Sequence, residues 1–315
     1  MKLKGHHHVS SLTANAERNL AFYRNILGMR LVKKTVNQDN TSNYHLFYAD
    51  SKGSPGTEVT FFEIPLLAQK REGTNRIYEI GLLVPSNEAL QFWSERFNKF
   101  QVEHEEIHER NGVLVLPFQD PDGHRMSLVV DQDASPVLEN GTDEVSGEHA
   151  IIGLGPATLQ VRYAEPTIQV LTDVLGFTKT GQYTNGDYTV HVFALDENGL
   201  SSEIHVEENK DLPKAREGRG SVHHIAFRVE TEEELRQWVD HIEKEGFTTS
   251  GFVDRYYFKS LYFREPNGIL YELATDGPGF DIDEKLEDLG KELSLPPFLE
   301  PKRKEIEAKL KPLRT

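Results

Sequence analysis

The sequence contains no cysteine. Disulfides, cysteine-ligated zinc, iron–sulfur clusters and thiol nucleophiles are therefore excluded. Apolar runs of the roughly 18 residues that a membrane helix needs are also missing, so we expect no membrane partner. The first residues, MKLKGHHHVSSLT, carry charge but lack the apolar segment of a secretory signal. These absences predict a cytoplasmic protein.

Basic residues are outnumbered, with 35 Lys and Arg against 51 Asp and Glu, which gives a formal net charge of -16. This balance argues against a nucleic-acid partner, because phosphate binding needs a basic footprint. The length of 315 residues is about twice that of a usual domain and favours two large halves. Association into a homo-oligomer is left open by the sequence.

Two segments of the chain occur in similar form twice. Residues 19–29 and 167–177 both read as an amphipathic helix that stops at Leu-Gly and continues into a strand. Gly28 and Gly176 stand where a helix end favours a left-handed residue. Residues 120–128 and 265–273 both form a Pro-containing turn that leads into an alternating strand. The chain is therefore built from repeated units.

Extending the comparison gives four units, each with the order β-α-β-β-β, and an α+β fold class. The polar, acidic linker 131–148 separates two halves. We expect an N-terminal domain of two units over 1–135 and a C-terminal domain of two units over 149–278. The tail, 279–315, carries Ile306, Leu310 and Leu313 at helical spacing, which predicts a short amphipathic helix packed on the body.

Thirteen histidines are present, and two clusters of them open predicted strands, His6 to His8 and His223 with His224. Neighbours in a strand point to opposite faces, so one histidine of each cluster faces inward and both can reach one ion. Glu272, in an apolar strand, adds a carboxylate. Imidazole suits Fe, Zn, Ni and Mn. The competing interpretation of the first cluster is a fragment of a purification tag, and that of His223 and His224 is a pair of hydrogen-bonded core histidines. A buried carboxylate needs a partner, so the presence of Glu272 argues against both.

These motifs resemble those of the vicinal-oxygen-chelate superfamily, and within it the bacterial ring-cleaving dioxygenases of the methylhydroquinone-resistance type. The resemblance covers essentially the full length, including residues 295–300. It implies four βαβββ modules paired into two cup-shaped half-barrels, with the first and fourth modules forming the metal-bearing cup. It further implies one Fe(II) per chain, held by His8, His224 and Glu272.

The same resemblance implies an O2-dependent cleavage of a hydroquinone or catechol, with a small aromatic diol and O2 as partners. It places five further residues around the substrate: His7, Ser10, His223, Arg255 and Tyr262. In that scheme His223 or His7 moves the proton, Arg255 stabilises negative charge and Tyr262 donates a hydrogen bond.

The second and third units serve as an internal comparison. At the equivalent positions of these units, Glu79 stands in place of His224, Ser127 in place of Glu272, and Thr158 close to the position of His8. A cup of these units is expected to lack both the imidazole pair and the carboxylate of the fourth strand. We therefore predict that the second cup is empty of metal.

Two other functions compete with the dioxygenase. A glyoxalase-type isomerase or lyase needs a second carboxylate in the cup, and Glu58 or Glu63 could supply it. Thr60 and Phe62 are better aligned with the inward face of that strand. A metal-free protein that binds an aromatic toxin is the other alternative.

Residues His104 to His108 match the H-E-x-x-H pattern of zinc proteases. That pattern binds zinc only on a helix, and here it lies between Phe100-Gln-Val and Asn-Gly. We expect a solvated polar strand instead.

Overall fold

The computed structural model describes residues 1–195 and 199–315. Its strands are β1 (His6–Thr13), β2 (Arg30–Asn37), β3 (Asn40–Ala49), β4 (Glu58–Glu63), β5 (Arg76–Val84), β6 (His108–Arg110), β7 (Val113–Gln119), β8 (Arg125–Val130), β9 (Gly153–Val161), β10 (Thr178–Asn185), β11 (Tyr188–Ala194), β12 (Ile204–Glu208), β13 (Val222–Val229), β14 (Val253–Asp254), β15 (Phe258–Arg264) and β16 (Leu270–Pro278). The α-helices are α1 (Ala16–Leu20), α2 (Asn87–Phe100), α3 (Ala164–Gln169), α4 (Glu232–Lys244) and α5 (Arg303–Glu307). Short 3₁₀ turns span Leu138–Asn140, Gly199–Ser202, Phe280–Ile282, Leu286–Asp288 and Glu300–Lys302.

The repeated helices end where their sequences predict. Asn15 caps α1 by accepting a hydrogen bond from the Arg18 amide. Helices α1 and α3 each continue into a π-helical turn, Ala21–Ile26 and Val170–Val174. Gly28 and Gly176 follow with positive φ angles of 67° and 78°, which confirms the predicted left-handed ends.

The strands form two curled sheets of eight strands each, with the orders β14-β15-β16-β13-β1-β4-β3-β2 and β10-β11-β12-β9-β5-β8-β7-β6. The first sheet, here the first cup, therefore combines the first and fourth units, and the second cup combines the second and third. Strands β1 and β13 pair antiparallel at the centre of the first cup. This arrangement confirms the predicted α+β fold with two half-barrels. Each cup draws strands from both halves of the chain, and the limits 1–135 and 149–278 stay a prediction.

The apolar core is shared by the two cups. Val9 and Phe227 from the back of the first sheet, and Leu82 and Leu159 from the second, are all at most 1% exposed and belong to one cluster. Burial of this apolar surface is the main stabilising contribution. Among the described helices, none has the length and apolar character needed to cross a membrane.

The tail returns to the body of the first cup. Ile306 in α5 and Leu310 after it are buried in the main core cluster, and Leu313 packs against it. Strand β2 holds the other end of the tail, because the fully buried Lys33 ammonium donates to the Phe280 carbonyl at 2.9 Å and to Asp283 at 2.7 Å. It also pairs with Glu284.

Lys33→Met is expected to lower the free energy of unfolding by about 3 kcal/mol, because it leaves two carboxylates without their buried partner. Urea unfolding followed by circular dichroism measures the loss. Lys291→Met is the matched control, since Lys291 forms only an exposed pair with Asp288 and should cost less than about 1 kcal/mol. Equal effects of the two substitutions would contradict the proposed role of Lys33.

Candidate active site

Three buried side chains of the first cup converge on one point. His8 lies on β1, His224 on β13 and Glu272 on β16, and each is at most 3% exposed. The register explains the meeting, because β1 pairs with β13 and β13 pairs with β16, with Ala226 opposite both His8 and Glu272. The Nε2 atoms of His8 and His224 lie 3.2 Å apart. They lie 3.1 and 2.8 Å from Oε2 of Glu272.

These separations fit a metal ion. Three ligands on one face of an octahedron, at bonds of about 2.1 Å, lie about 3.0 Å from one another. Among the described residues, no donor makes a well-aligned hydrogen bond to the buried Oε2 of Glu272, whereas its Oε1 accepts one from Ser260 at 2.5 Å. Burial alone would raise the pKa of Glu272, but the two imidazoles hold it well below its ordinary value. The site therefore presents an ionised carboxylate and two ring nitrogens.

His7 determines which nitrogen of His8 is free. Its Nε2 lies 3.0 Å from the Thr275 carbonyl, which can only accept, so Nε2 carries the proton. Its Nδ1 then accepts from Nδ1 of His8 at 2.9 Å, which leaves the lone pair of His8 on Nε2, toward the cup. Burial, and then the neighbouring His8, lower the pKa of His7 to about 3, so its ring is neutral.

The position of His7 corrects one expectation. His7 does not line the active-site cavity but lies behind His8, next to Phe258 and Thr275. It is therefore placed to orient a ring and not to contact a substrate directly.

His223 does line the cavity. Its Nδ1 lies 2.8 Å from Nδ1 of His224. Because Nε2 of His224 faces Glu272 and His8, Nδ1 of His224 is the donor in this pair. His223 then carries its own proton on Nε2. Burial lowers the pKa of His223, and Glu217 opposes that shift.

The other predicted residues, Arg255, Tyr262 and Ser10, also line this cavity. The Arg255 Nε donates to the Tyr262 hydroxyl at 3.2 Å, and its two terminal nitrogens reach Asp39 at 3.2 and 3.1 Å. Burial opposes the charge of Arg255, but Tyr262 and Asp39 raise its pKa. Burial and Glu272 raise the pKa of Tyr262. Arg255 is thus a fixed cation and Tyr262 a neutral donor.

His45 completes the polar wall of the cavity and was not predicted from the sequence, and the buried Thr60 contacts it. Thr60 Oγ1 lies 2.7 Å from Ser10 Oγ and 3.0 Å from Nε2 of His45. The His45 ring lies between Phe47 and Phe62, at centroid distances of 4.0 and 4.1 Å. Burial, followed by the neighbouring His8 and His224, lowers the pKa of His45 well below its ordinary value. Register matching between β3 and β15 could have found it.

The register gives Thr60 a special place. Ser10 lies opposite Thr60 on β1 and β4, as Ala226 lies opposite Glu272 on β13 and β16. The pseudo-twofold relation that superposes His8 on His224 therefore places Thr60 where Glu272 stands. The first unit has a hydroxyl where the fourth unit has a carboxylate.

Glu58 and Glu63, the two carboxylates weighed for an isomerase, lie elsewhere. Glu63 accepts from the Ala16 amide at the start of α1. Glu58 Oε1 is 4.0 Å from Nδ1 of His7, and with His7 and His8 it forms a second close group of metal-ligating residues. Burial, and then Asp50, raise the pKa of Glu58 well above its ordinary value. The Nδ1 atoms of His7 and His8 are hydrogen-bonded to each other, so the group with His224 and Glu272 is the better metal site.

The cavity in front of this site has a volume of about 590 Å³. Its apolar walls are Leu12, Val36, Phe47, Phe62, Ile64, Leu67, Tyr257, Phe258 and Leu270. Such a shape, apolar with a few convergent polar groups, is typical of a small-molecule site. It accommodates a single aromatic ring with substituents.

The second cup differs from the first in its charges. Glu79 pairs with Arg110 and accepts from Ser127 at 3.0 Å. The expectation that this cup lacks a carboxylate on the fourth strand of its units was wrong. Gln160 on β9 lies opposite Glu207 on β12, as Ser10 on β1 lies opposite Thr60 on β4. Glu207 therefore stands in the second cup where Thr60 stands in the first. Glu207 is bound by the amides of Gln160 and Asn185 at 2.7 and 2.8 Å.

No close group of metal-ligating side chains occurs in the second cup within residues 1–195 and 199–315. One metal per chain stays a prediction.

The H-E-x-x-H segment is extended and not helical. His104 makes an isolated bridge to Phe118, and His108 begins the short strand β6. The segment is therefore not the helix that the zinc-protease pattern needs, but only its last residue belongs to a strand, so the predicted polar strand begins later than expected.

Comparison with known proteins agrees with this architecture. The chain matches the Glyoxalase/Bleomycin resistance protein/Dioxygenase superfamily over residues 5–128 and 153–273. It is 54% identical to MhqA of Bacillus subtilis (strain 168), which carries the name of a ring-cleaving dioxygenase, over 99% of this chain and all of that one. It is 28% identical to the chlorohydroquinone/hydroquinone 1,2-dioxygenase of Sphingobium indicum, over 97% of this chain and 95% of that one.

A crystal structure named for a dioxygenase of Bacillus subtilis superposes with a TM-score of 0.91 at 34% identity, covering 99% of this chain and 98% of that one. Glyoxalase I of Zea mays shares the fold, with a TM-score of 0.66 at 15% identity over 91% of this chain and 97% of that one. The predicted resemblance to ring-cleaving dioxygenases is thereby confirmed. The chain belongs to the Glyoxalase/Bleomycin resistance protein/Dioxygenase superfamily.

Proposed function

We propose that this protein is an Fe(II)-dependent ring-cleaving dioxygenase that inserts O2 into a hydroquinone or a catechol, with one iron per chain. The relatives support an oxygenase enzyme. The observation that carries the proposal is the convergence of His8, His224 and Glu272 at the base of a cavity with aromatic walls. Two imidazoles and one carboxylate on one face are typical of non-haem iron oxygenases.

His8, His224 and Glu272 would hold the metal. Fe(II) bound there supplies the redox and O2 chemistry that side chains lack. His7 and His223 hold the second nitrogens of the two ligand rings, and such support orients ligands and tunes their basicity. Ser260 does the same for the carboxylate.

The remaining side chains bind and orient the substrate. His223, with Nε2–H available, is the proposed residue that donates to a substrate oxygen and handles its proton, a role for which His7 is too deeply placed. Arg255 stabilises negative charge on the substrate, and Tyr262 donates to it. Phe62 and Phe258 stack on the ring and exclude water from this part of the cavity.

The structure favours this chemistry over the isomerase. Glyoxalase-type chemistry needs a second carboxylate in the cup, and Thr60 occupies that place. The metal-free binding protein is opposed by the free, ionised Glu272 oxygen between two imidazoles. The expected cytoplasmic location stays a prediction.

An oxygen electrode tests the proposal. Protein purified anaerobically and loaded with Fe(II) should take up O2 with hydroquinone, methylhydroquinone or catechol and give a ring-opened product. The dimethyl ethers of these diols are the control and should cause no uptake, because they cannot ionise at the metal. Stoichiometric iron with no O2 uptake across the panel would overturn the dioxygenase. Tight diol binding by metal-free protein, without uptake, would favour the binding protein instead.

A further inference from the structure

A second cleft, of about 350 Å³, lies beside the active-site cavity. We name it the cationic chamber after the six basic residues that line it. They are Lys70, Arg71, Arg76, Lys214, Arg216 and Arg264. The acidic residue in its lining is Glu217. Such a concentration of positive charge is unexpected in a chain with a net charge of -16.

The chamber is built where two linkers cross. Residues 64–75 join the first unit to the second, and residues 209–221 join the third to the fourth. Both linkers carry the triplet Arg-Glu-Gly, at 71–73 and 216–218. Arg71 and Arg216 exchange backbone hydrogen bonds of 3.0 and 3.1 Å. The fold thus brings the basic residues of both halves to one place.

Much of this charge has no acidic partner. Glu72 pairs with Lys70 at 3.4 Å and also with Arg76. In the described part of the chain, four others form no ion pair: Arg71, Lys214, Arg216 and Arg264. The buried Nε of Arg76 also lacks a hydrogen-bond acceptor among the described residues. Donors are thus left over for an anion.

The chamber adjoins the active site directly. Three residues line both cavities, namely Glu217, His223 and Leu270. The chamber therefore lies next to the active-site cavity, on the side of His223.

We propose that the cationic chamber binds the carboxylate of the ring-opened product as it leaves the active site. The inference rests on the proposed function. When O2 is inserted, the carbon–carbon bond beside a hydroxylated carbon breaks, and both oxygen atoms enter the product. One end becomes a carboxylic acid, which ionises and gives its proton to water. The substrate diol is neutral at neutral pH, since phenols have a pKa near 10, so the chamber distinguishes product from substrate by charge.

A titration with cis,cis-muconate, an unsaturated dicarboxylate, tests the chamber without turnover. Calorimetry under argon with the iron-loaded protein should show binding that weakens at least about tenfold in Arg71→Gln/Arg216→Gln, since charged hydrogen bonds are lost. Arg236→Gln/Lys244→Gln removes the same charge from the surface of α4 and should leave the affinity within about twofold. The dimethyl ester of muconate should not bind.

Steady-state kinetics give the second readout. Muconate should raise the KM for the quinol in the wild type and do so less in Arg71→Gln/Arg216→Gln. No muconate binding by the wild type, or equal binding by the folded double variant, overturns the chamber. Absence of O2 uptake by the wild type overturns the proposed function, a result that the titration does not influence.

Discussion

Glu272→Ala is expected to lose its tightly bound iron and to lower O2 uptake at least about 100-fold. Loss of a residue that merely supports a metal ligand costs 10- to 100-fold in affinity or activity, and Glu272 itself lies 3.1 and 2.8 Å from the two imidazole nitrogens. Without the carboxylate, two neutral imidazoles are left to hold a divalent cation. Iron per chain, measured after gel filtration, and O2 uptake by the same sample give the result.

Two variants separate the charge of this group from its shape. Glu272→Gln keeps the volume and the acceptor for Ser260 but removes the negative charge, so it should also lose iron. Ser260→Ala leaves Glu272 in place and removes the 2.5 Å hydrogen bond to it. A loss of about 10-fold in iron affinity is expected for this variant. Circular dichroism verifies that each variant is folded.

Glu58→Gln is the matched control for the neighbouring group of His7, His8 and Glu58. Burial raises the pKa of Glu58 well above its ordinary value, and the amide replaces its carboxyl with a group of the same size. This variant should keep its iron. Iron retained in Glu272→Ala but lost in Glu58→Gln would place the metal in the other group.

The repeats and the strand alternation predicted much of the first cup. The period of two in each strand placed one histidine of each cluster inward, and the repeated turns identified the four units. The family resemblance, and not the alternation, identified His8 rather than His7 as the inward-facing residue. Alternation alone fails in this strand, because β1 contains a bulge. Its register shifts between His6 and His8. His6 is thereby packed near Phe227, although simple alternation would put it on the face of His8.

Other features depend on which strands meet, and no local pattern records that. Glu207 was missed because its place in the second cup follows from the register of β9 with β12. His45 was missed because its contact with Thr60 crosses from β3 to β4. The contact between Arg71 and Arg216 joins linkers that are far apart in sequence. Propensity and spacing are local, whereas these contacts are created by the pairing of distant strands.

Thr60→Glu is expected to retain a divalent metal but to lower O2 uptake at least about 100-fold. Thr60 occupies in the first unit the position that Glu272 occupies in the fourth. A carboxylate there faces the metal site as a fourth ligand. It would take one of the positions that a facial triad leaves open for the substrate and O2.

Thr60→Gln is the size-matched control, because it brings the same bulk into the buried site with less tendency to bind a metal. Thr60→Val removes the hydroxyl that meets Ser10 and His45 while adding no ligand. Thr60→Glu should show unchanged or higher metal content, with a preference moved toward Zn, Ni or Mn, and the lowest O2 uptake of the three. Equal uptake by the Glu and Gln variants would show that this wall of the cup does not reach the metal. We therefore expect the absence of a carboxylate at position 60 to leave this side of the metal site open.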